Sequence, residues 1–165
     1  MKKIFLFLFV FSLFGCEKDD ICDPAAATTP SLVVEFYDIS NPTVLKNVVN
    51  LKIKEQTQSG DLGVFNGINK IRLPLKTNGT AVNYSFILNS ADVDNDNEDL
   101  FNVNYIGQDF FISRACGFKT VFGLNGLNPI TINEPAISDT PWIQEIEVVT
   151  TSITNEKETH VKIFF

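Results

Sequence analysis

Several residue types that common chemistries require are scarce in this chain of 165 residues. His160 is its one histidine, which excludes a zinc site built from several imidazoles. Thirteen basic residues stand against 20 acidic ones, without a basic cluster. Because phosphate contacts need Lys and Arg, we expect no nucleic-acid partner. A Gly-rich phosphate loop and a dinucleotide-binding fingerprint are also missing, so no cofactor is expected.

The sequence offers no catalytic constellation around His160. A Ser-His-Asp arrangement needs an acid that orients the histidine and a serine that faces it. The Gly-x-Ser-x-Gly pattern of one such class is absent. We therefore expect His160 to be a solvent-exposed strand residue. We also expect the protein not to be an enzyme, since nucleophile, base and orienting group cannot be named.

The first residues have the layout of an export signal. Lys2 and Lys3 precede an apolar run over residues 4–14, which only Ser12 interrupts. A basic start followed by a short apolar stretch is typical of a signal peptide. The run has eleven residues, whereas a membrane-spanning helix needs about 20. Residues 1–15 are thus predicted to be removed.

The end of that run, Ser12-Leu13-Phe14-Gly15-Cys16, resembles the lipobox of bacterial lipoproteins, with Phe14 bulkier than the usual residue. The resemblance implies cleavage before Cys16 and lipid on its thiol, so that the membrane is a partner. One acyl chain holds a protein only marginally, while two or three anchor it stably. The alternative is an ordinary signal peptide followed by a chance cysteine.

Charge next to Cys16 bears on localisation. Residues 17–20 read Glu-Lys-Asp-Asp and resemble the surface-export signal of lipoproteins in Bacteroidota-type bacteria. That resemblance implies the outer membrane and its cell-surface side; the alternative is a polar tether on the periplasmic face. After processing, eleven basic and twenty acidic residues give a formal charge of −9. Anionic headgroups would repel such a chain, so the acyl chains must anchor it.

Two further cysteines, Cys22 and Cys116, remain for pairing. Exported proteins can keep disulfides, and an even pair favours one here. In the chain-entropy model, a loop of this length stabilises the fold by on the order of 4–5 kcal/mol. Two separate buried thiols are the alternative.

Hydrophobic periodicity predicts an all-β domain. Residues 16–30 are polar and small and read as the lipidated N-terminus and a tether. Beyond them, over residues 31–165, the dominant period is two, as expected for half-buried strands. We predict one β-sandwich of about 8–9 strands, immunoglobulin-like or transthyretin-like. The predicted strands cover residues 32–37, 49–54, 71–76, 82–88, 101–105, 110–116, 118–122, 142–148 and 161–165.

Acidic and aromatic residues provide two weaker candidates. Asp92, Asp94 and Asp96 alternate like the start of a calcium loop, which uses oxygen ligands. Asn97 and Val103 replace the turn glycine and the bidentate glutamate, so a solvated acidic hairpin is the simpler interpretation. The aromatic residues that could form a glycan platform are Trp142, Tyr37, Tyr84 and Tyr105. Core packing is the better expectation for most of them.

Several segments together resemble an uncharacterised lipoprotein family of Bacteroidota-type bacteria, a domain of unknown function. They are residues 16–22, 29–38, 41–42, 73–77, 111–118, 142–143 and 160–165. Cys22 and Cys116 belong to the recurring motifs, which favours the disulfide, and the resemblance supplies no catalytic residue. The expected function is a structural, adhesive or accessory binding module with an unknown protein or glycan partner. The alternatives are a periplasm-facing assembly partner and a glycan-binding accessory of an outer-membrane uptake system.

Overall fold

The computed structural model describes residues 21–135 and 140–165. The predicted signal peptide, the predicted lipidation site Cys16 and the charged residues 17–20 lie outside the described residues. The chain divides into two compact units. Unit 1 comprises Met1–Thr28 and Phe110–Lys119, and unit 2 comprises Thr29–Asp109 and Thr120–Phe165.

Strands form all the regular secondary structure of the described residues. They are β1 (Leu32–Asp38), β2 (Asn41–Leu45), β3 (Leu51–Glu55), β4 (Asp61–Phe65), β5 (Lys70–Leu73), β6 (Ala81–Leu88), β7 (Asn97–Ser113), β8 (Gly117–Leu124), β9 (Ile130–Asn133), β10 (Glu145–Val148), β11 (Ser152–Ile153) and β12 (Val161–Phe164). Within residues 21–135 and 140–165, no helix has the length and apolar character needed to cross a membrane.

Two sheets pack together in a sandwich, which confirms the predicted fold class. The first sheet has the order β10-β12-β1-β2, and β5 pairs with β1 beside β2. The second has the order β11-β8-β7-β6-β3-β4, and β9 also pairs with β7. Strands β1 and β12 are parallel, with Val34 opposite Val161. The described chain therefore joins its first and last strands in one sheet.

The core of unit 2 follows from the alternation of apolar residues. In β3, Leu51 and Ile53 are buried, while Lys52 and Lys54, which alternate with them, are half-buried. Successive side chains of a strand point to opposite faces, so one face of each such strand supplies the core. Phe86 stacks on Phe101 at 4.9 Å between ring centroids. These contacts give unit 2 a packed hydrophobic core.

The strand count exceeds the prediction of 8–9 because four strands of only two to five residues were not predicted. These are β2, β4, β9 and β11. All five residues of β2 are exposed, so burial imposes no period on it, and Asn41-Pro42 read as a turn. Strand β4 is mostly exposed and contains Gly63. The predicted segments before and after position 105 are in fact one long strand, β7.

Pro74 behaves as its chemistry predicts. A proline has no N–H to donate to a ladder, so it favours a sheet edge or a bulge. Strand β5 ends at Leu73, immediately before Pro74, and pairs only with β1. The strand predicted over residues 71–76 therefore ends before Pro74, and β5 itself is an edge strand.

Candidate functional site

Cys22 and Cys116 form a disulfide, which confirms the predicted pair. Their Cα atoms are 4.8 Å apart, and 94 positions of sequence separate them. Cys116 lies in the turn between β7 and β8, whereas the sequence placed it at the end of a strand. The bond therefore joins the segment that follows Cys16 to the turn of a β-hairpin.

Local hydrogen bonds shape both sides of this disulfide. The N–H of Cys116 donates to Ser113 Oγ at 3.0 Å, and Gly117 then has φ +70°, a conformation that favours glycine. On the other side, Asp23 Oδ1 accepts the N–H of Ala25 at 2.8 Å. An Asp side chain that bonds the backbone two residues on is a usual turn device. Both halves of unit 1 thus turn close to the disulfide.

The hairpin of unit 1 exposes three phenylalanines; two of them, Phe111 and Phe118, are in contact, and we call this pair the phenylalanine patch. Phe111 is 60% exposed and Phe118 is 68% exposed. Their rings meet edge to face with 5.3 Å between centroids, so they contact each other. The third, Phe110, is 42% exposed and precedes Phe111 in β7, so its side chain points to the opposite face of the strand. Contiguous exposed apolar surface often marks an interaction site.

An open depression of about 470 Å³ borders the disulfide within unit 1. Its lining is mixed in character: Ile21, Asp23, Ala26, Ile112, Ser113, Arg114 and Cys116. Ile21 is also strongly exposed. Apolar side chains and one basic group therefore share this surface, and no nucleophile–base pair is formed by its lining residues.

A second polar cluster lies in unit 2 around Glu55, which is only 4% exposed. Its carboxylate accepts hydrogen bonds from Lys76 Nζ at 3.0 Å and from Thr57 Oγ1 at 2.8 Å. Burial raises the pKa of Glu55, but the hydrogen bonds from Thr57 and Lys76 outweigh it and hold the pKa below the ordinary 4.5. Glu55 is thus an ionised, fully partnered group.

Two tyrosines support the same region. Tyr105 Oη accepts the N–H of Lys76 at 2.8 Å and donates to the Lys76 carbonyl at 3.1 Å. Tyr84 Oη donates to the Pro74 carbonyl, and burial raises the pKa of Tyr84. Both phenols therefore hold the backbone that follows β5. This arrangement is that of a structural network, because each polar group in it already has a protein partner.

His160 is buried, so the predicted solvent-exposed position is wrong. Its side chain has no exposed surface, and Nδ1 accepts the N–H of Val33 at 2.8 Å. The backbone N–H of His160 donates to Val33 O at 3.0 Å. Burial lowers the pKa of His160, against the opposing charges of Glu158 and Glu156 and a backbone hydrogen bond at Asn155. The imidazole serves as a backbone acceptor at the start of β12.

Most of the candidate glycan-binding aromatics lie in the core, as expected. Trp142 is 8% exposed, and its Nε1 donates to the Phe86 carbonyl at 3.2 Å. Tyr84 and Tyr105 are fully buried. Tyr37 is half-buried, and its hydroxyl donates to Glu35 Oε2 at 3.0 Å. The glycan platform that would need Trp142 is therefore not formed.

The acidic loop shows local turn bonds in place of a cation cage. Asp92 Oδ1 accepts the N–H of Asp94 at 3.2 Å, and Asp92 Oδ2 accepts Asn95 Nδ2 at 2.8 Å. The hydrogen bonds from Asn95 and Asp94 lower the pKa of Asp92. Asp92, Asp94 and Asp96 do not form a metal-holding group of three, nor do any His, Cys, Asp or Glu residues elsewhere in the described part of the chain.

The phenylalanine patch was missed by the sequence reasoning, which treated Phe111 and Phe118 only as strand residues. Two signals were available. Phe110 and Phe111 are adjacent, so in a strand they point to opposite faces and cannot both enter one core. The segment with Phe110 and Phe111 and the segment with Phe118 also flank Cys116, whose pairing with Cys22 was predicted.

The fold and its disulfide-linked hairpin define an all-β sandwich protein. Residues 46–165 match the model of a family of unknown function, DUF6452. The match spans more than half of the chain, so the protein belongs to this family. The match includes Cys116 and begins after Cys22. Neither a curated protein nor a solved structure matches the chain.

Proposed function

We propose that this protein is a lipid-anchored lipoprotein of the bacterial cell envelope, held to a membrane by acyl chains on Cys16. The observation that best supports the proposal is the Cys22–Cys116 disulfide. Disulfides persist in oxidising compartments and are rare in the cytosol, so the bond favours an exported chain. The eleven-residue apolar run and the lipobox-like residues 12–16 supply the route of export.

The anchor is tested by mass spectrometry of protein extracted from membranes. We expect an N-terminal peptide that begins at Cys16 and carries a diacylglycerol, and a membrane fraction that depends on it. Cys16→Ser should abolish the lipid adduct. The matched control is Cys22→Ser with Cys116→Ser, which should remain lipidated because these thiols serve the fold. Equal lipid on the Cys16→Ser protein would contradict the proposal.

The cell surface is the proposed location, because Lys18, Asp19 and Asp20 follow the anchor directly. Protease treatment of intact cells tests this location: a surface domain is digested, while a periplasmic one is protected. Asp19→Ala with Asp20→Ala should convert the digested form into the protected form. Protection of the unsubstituted protein would favour the alternative, a periplasm-facing assembly partner.

A non-enzymatic role as a structural, adhesive or accessory binding module completes the proposal. Glu55 is already paired with Lys76, and the imidazole of His160 accepts a backbone N–H. The burial of Trp142 argues against the glycan-binding alternative, so an unknown protein partner is the better expectation. Affinity capture from intact cells after surface cross-linking tests it, with the Cys16→Ser protein as the unanchored control. Specific enrichment of glycan alone would contradict this part.

A further inference from the structure

The phenylalanine patch leaves two aromatic rings exposed to water. Unit 2 also exposes large apolar residues, but they are aliphatic and spread over many positions. In unit 1 two exposed aromatic rings, those of Phe111 and Phe118, contact each other across one short hairpin. Singly scattered apolar side chains are normal on a surface, whereas a contiguous aromatic patch marks contact with another phase or molecule.

The position of the phenylalanine patch in the chain indicates the membrane as its partner. Cys116 lies in the hairpin turn between Phe111 and Phe118, and its disulfide holds Cys22 at 4.8 Å between Cα atoms. Only five residues separate Cys22 from Cys16. A fully extended chain advances by at most about 3.6 Å per residue, so Cys16 Cα lies within about 22 Å of Cys22 Cα. Lipid on Cys16 would thus keep the hairpin near the membrane.

The charge of the two units differs in a way that is compatible with the same partner. From Cys16 onward, the sequence of unit 1 contains three basic residues and four acidic ones. Unit 2 contains sixteen acidic and eight basic residues. Anionic lipid attracts basic segments and repels acidic ones. Unit 1 is therefore nearly neutral and is repelled less by an anionic lipid surface than the acidic unit 2.

We infer that unit 1 is a membrane-contacting element, whose phenylalanine patch inserts among lipid headgroups beside the acylated Cys16. This inference rests on the proposed lipid anchor and deepens it. The acyl chains supply the affinity for the membrane, since two or more of them suffice for stable anchoring. The patch restricts the orientation of the hairpin, because apolar rings enter the boundary region while Arg114 and Lys119 stay with the headgroups.

The experiment uses the lipidated full-length protein in vesicles that contain anionic lipid, with or without bromine on the acyl chains. Phe118→Trp places a fluorophore in the patch, and Val64→Trp is the matched control. Val64 is 56% exposed in β4 of the acidic unit 2. The buried Trp142 contributes the same background to both variants. Phe111→Trp is a second patch reporter in case Phe118→Trp fails to fold.

We expect the tryptophan at position 118 to show a blue shift and a loss of emission with brominated lipid, and the tryptophan at position 64 to show neither. Lipid on Cys16 with equal, unquenched emission at both positions would overturn the inference and leave the anchor intact. Emission at position 118 that follows the protein-to-lipid ratio, without quenching, would overturn it in favour of a second copy. Absence of lipid on Cys16 would overturn both proposals.

Discussion

Unit 1 and unit 2 are stabilised in different ways. Unit 2 buries aromatic rings between two sheets, as in the stack of Phe86 on Phe101. In the described part of unit 1 the phenylalanines are exposed, and a covalent bond between Cys22 and Cys116 constrains the chain. A segment that cannot bury enough apolar surface to order itself can still be held by a disulfide. Aromatic side chains can therefore remain exposed in unit 1, because a disulfide and not their burial keeps this part of the chain ordered.

The largest effect is expected from truncating the core of unit 2. Phe86→Ala removes a fully buried ring and leaves a cavity, so the free energy of unfolding should fall by about 3–5 kcal/mol. Urea denaturation followed by near-ultraviolet circular dichroism measures this change. A loss below about 1 kcal/mol would show that the two sheets do not form the packed core described above.

Removal of the disulfide should have the next largest effect. Cys22→Ser with Cys116→Ser should lower the free energy of unfolding by about 2–5 kcal/mol, because the unfolded chain loses a long loop constraint. Urea denaturation with and without a reductant measures the loss. The double variant is its own control, since the reductant should no longer change its stability. If the reductant left the urea midpoint of the unsubstituted protein unchanged, the disulfide would not be a source of stability.

Replacing the buried carboxylate of Glu55 tests the polar network of unit 2. Glu55→Gln should cost about 1–3 kcal/mol, since it leaves Lys76 and Thr57 without their charged acceptor. Glu147→Gln is the matched control, because Glu147 pairs with Lys162 at the surface and should cost less than about 1 kcal/mol. The low pKa of Glu55 also predicts a loss of stability as the pH falls below about 4.5. Equal losses of stability in the two variants would show that Glu55 behaves like a surface carboxylate.

His160 predicts a pH dependence in a separate window. Its folded pKa is lowered, so the unfolded chain takes up the proton first as the pH falls below the ordinary 6.5. The free energy of unfolding should therefore decrease on acidification below that pH. One proton gives a slope of at most about 1.4 kcal/mol per pH unit. Denaturation between pH 5.5 and about 8 measures it.

His160→Gln is the control for that slope, because glutamine does not titrate. Other carboxylates, among them Glu156 and Glu158, are retained in both proteins and cancel in the difference. The stability difference between the two proteins should shrink as the pH falls. A constant difference would mean that His160 does not titrate on unfolding in this window.

The smallest effect is expected in unit 1. Phe118→Ala should change the free energy of unfolding by no more than about 0.5 kcal/mol, because its ring is already exposed in the folded chain. It is the direct counterpart of Phe86→Ala: the same substitution in the other unit. A loss comparable to that of Phe86→Ala would break the distinction between the two units.

Periodicity predicted the parts of the fold in which burial imposes a pattern. Strand β3, with Leu51 and Ile53 buried, was predicted because a strand with one face toward a core must alternate. Strand β2 was not, because all its residues are exposed and its order comes from pairing with β1. His160 was misplaced for a similar reason: a polar residue in a strand pattern carries no sign that a backbone N–H will satisfy it.

The sequence by itself determined the all-β class and the pairing of Cys22 with Cys116, because alternation and an even number of thiols are local or compositional properties. Only the tertiary structure decided that His160 accepts the N–H of Val33 and that the exposed rings of Phe111 and Phe118 contact each other. Those outcomes depend on which distant segments come into contact, and one strand residue does not encode the face that its neighbours will cover.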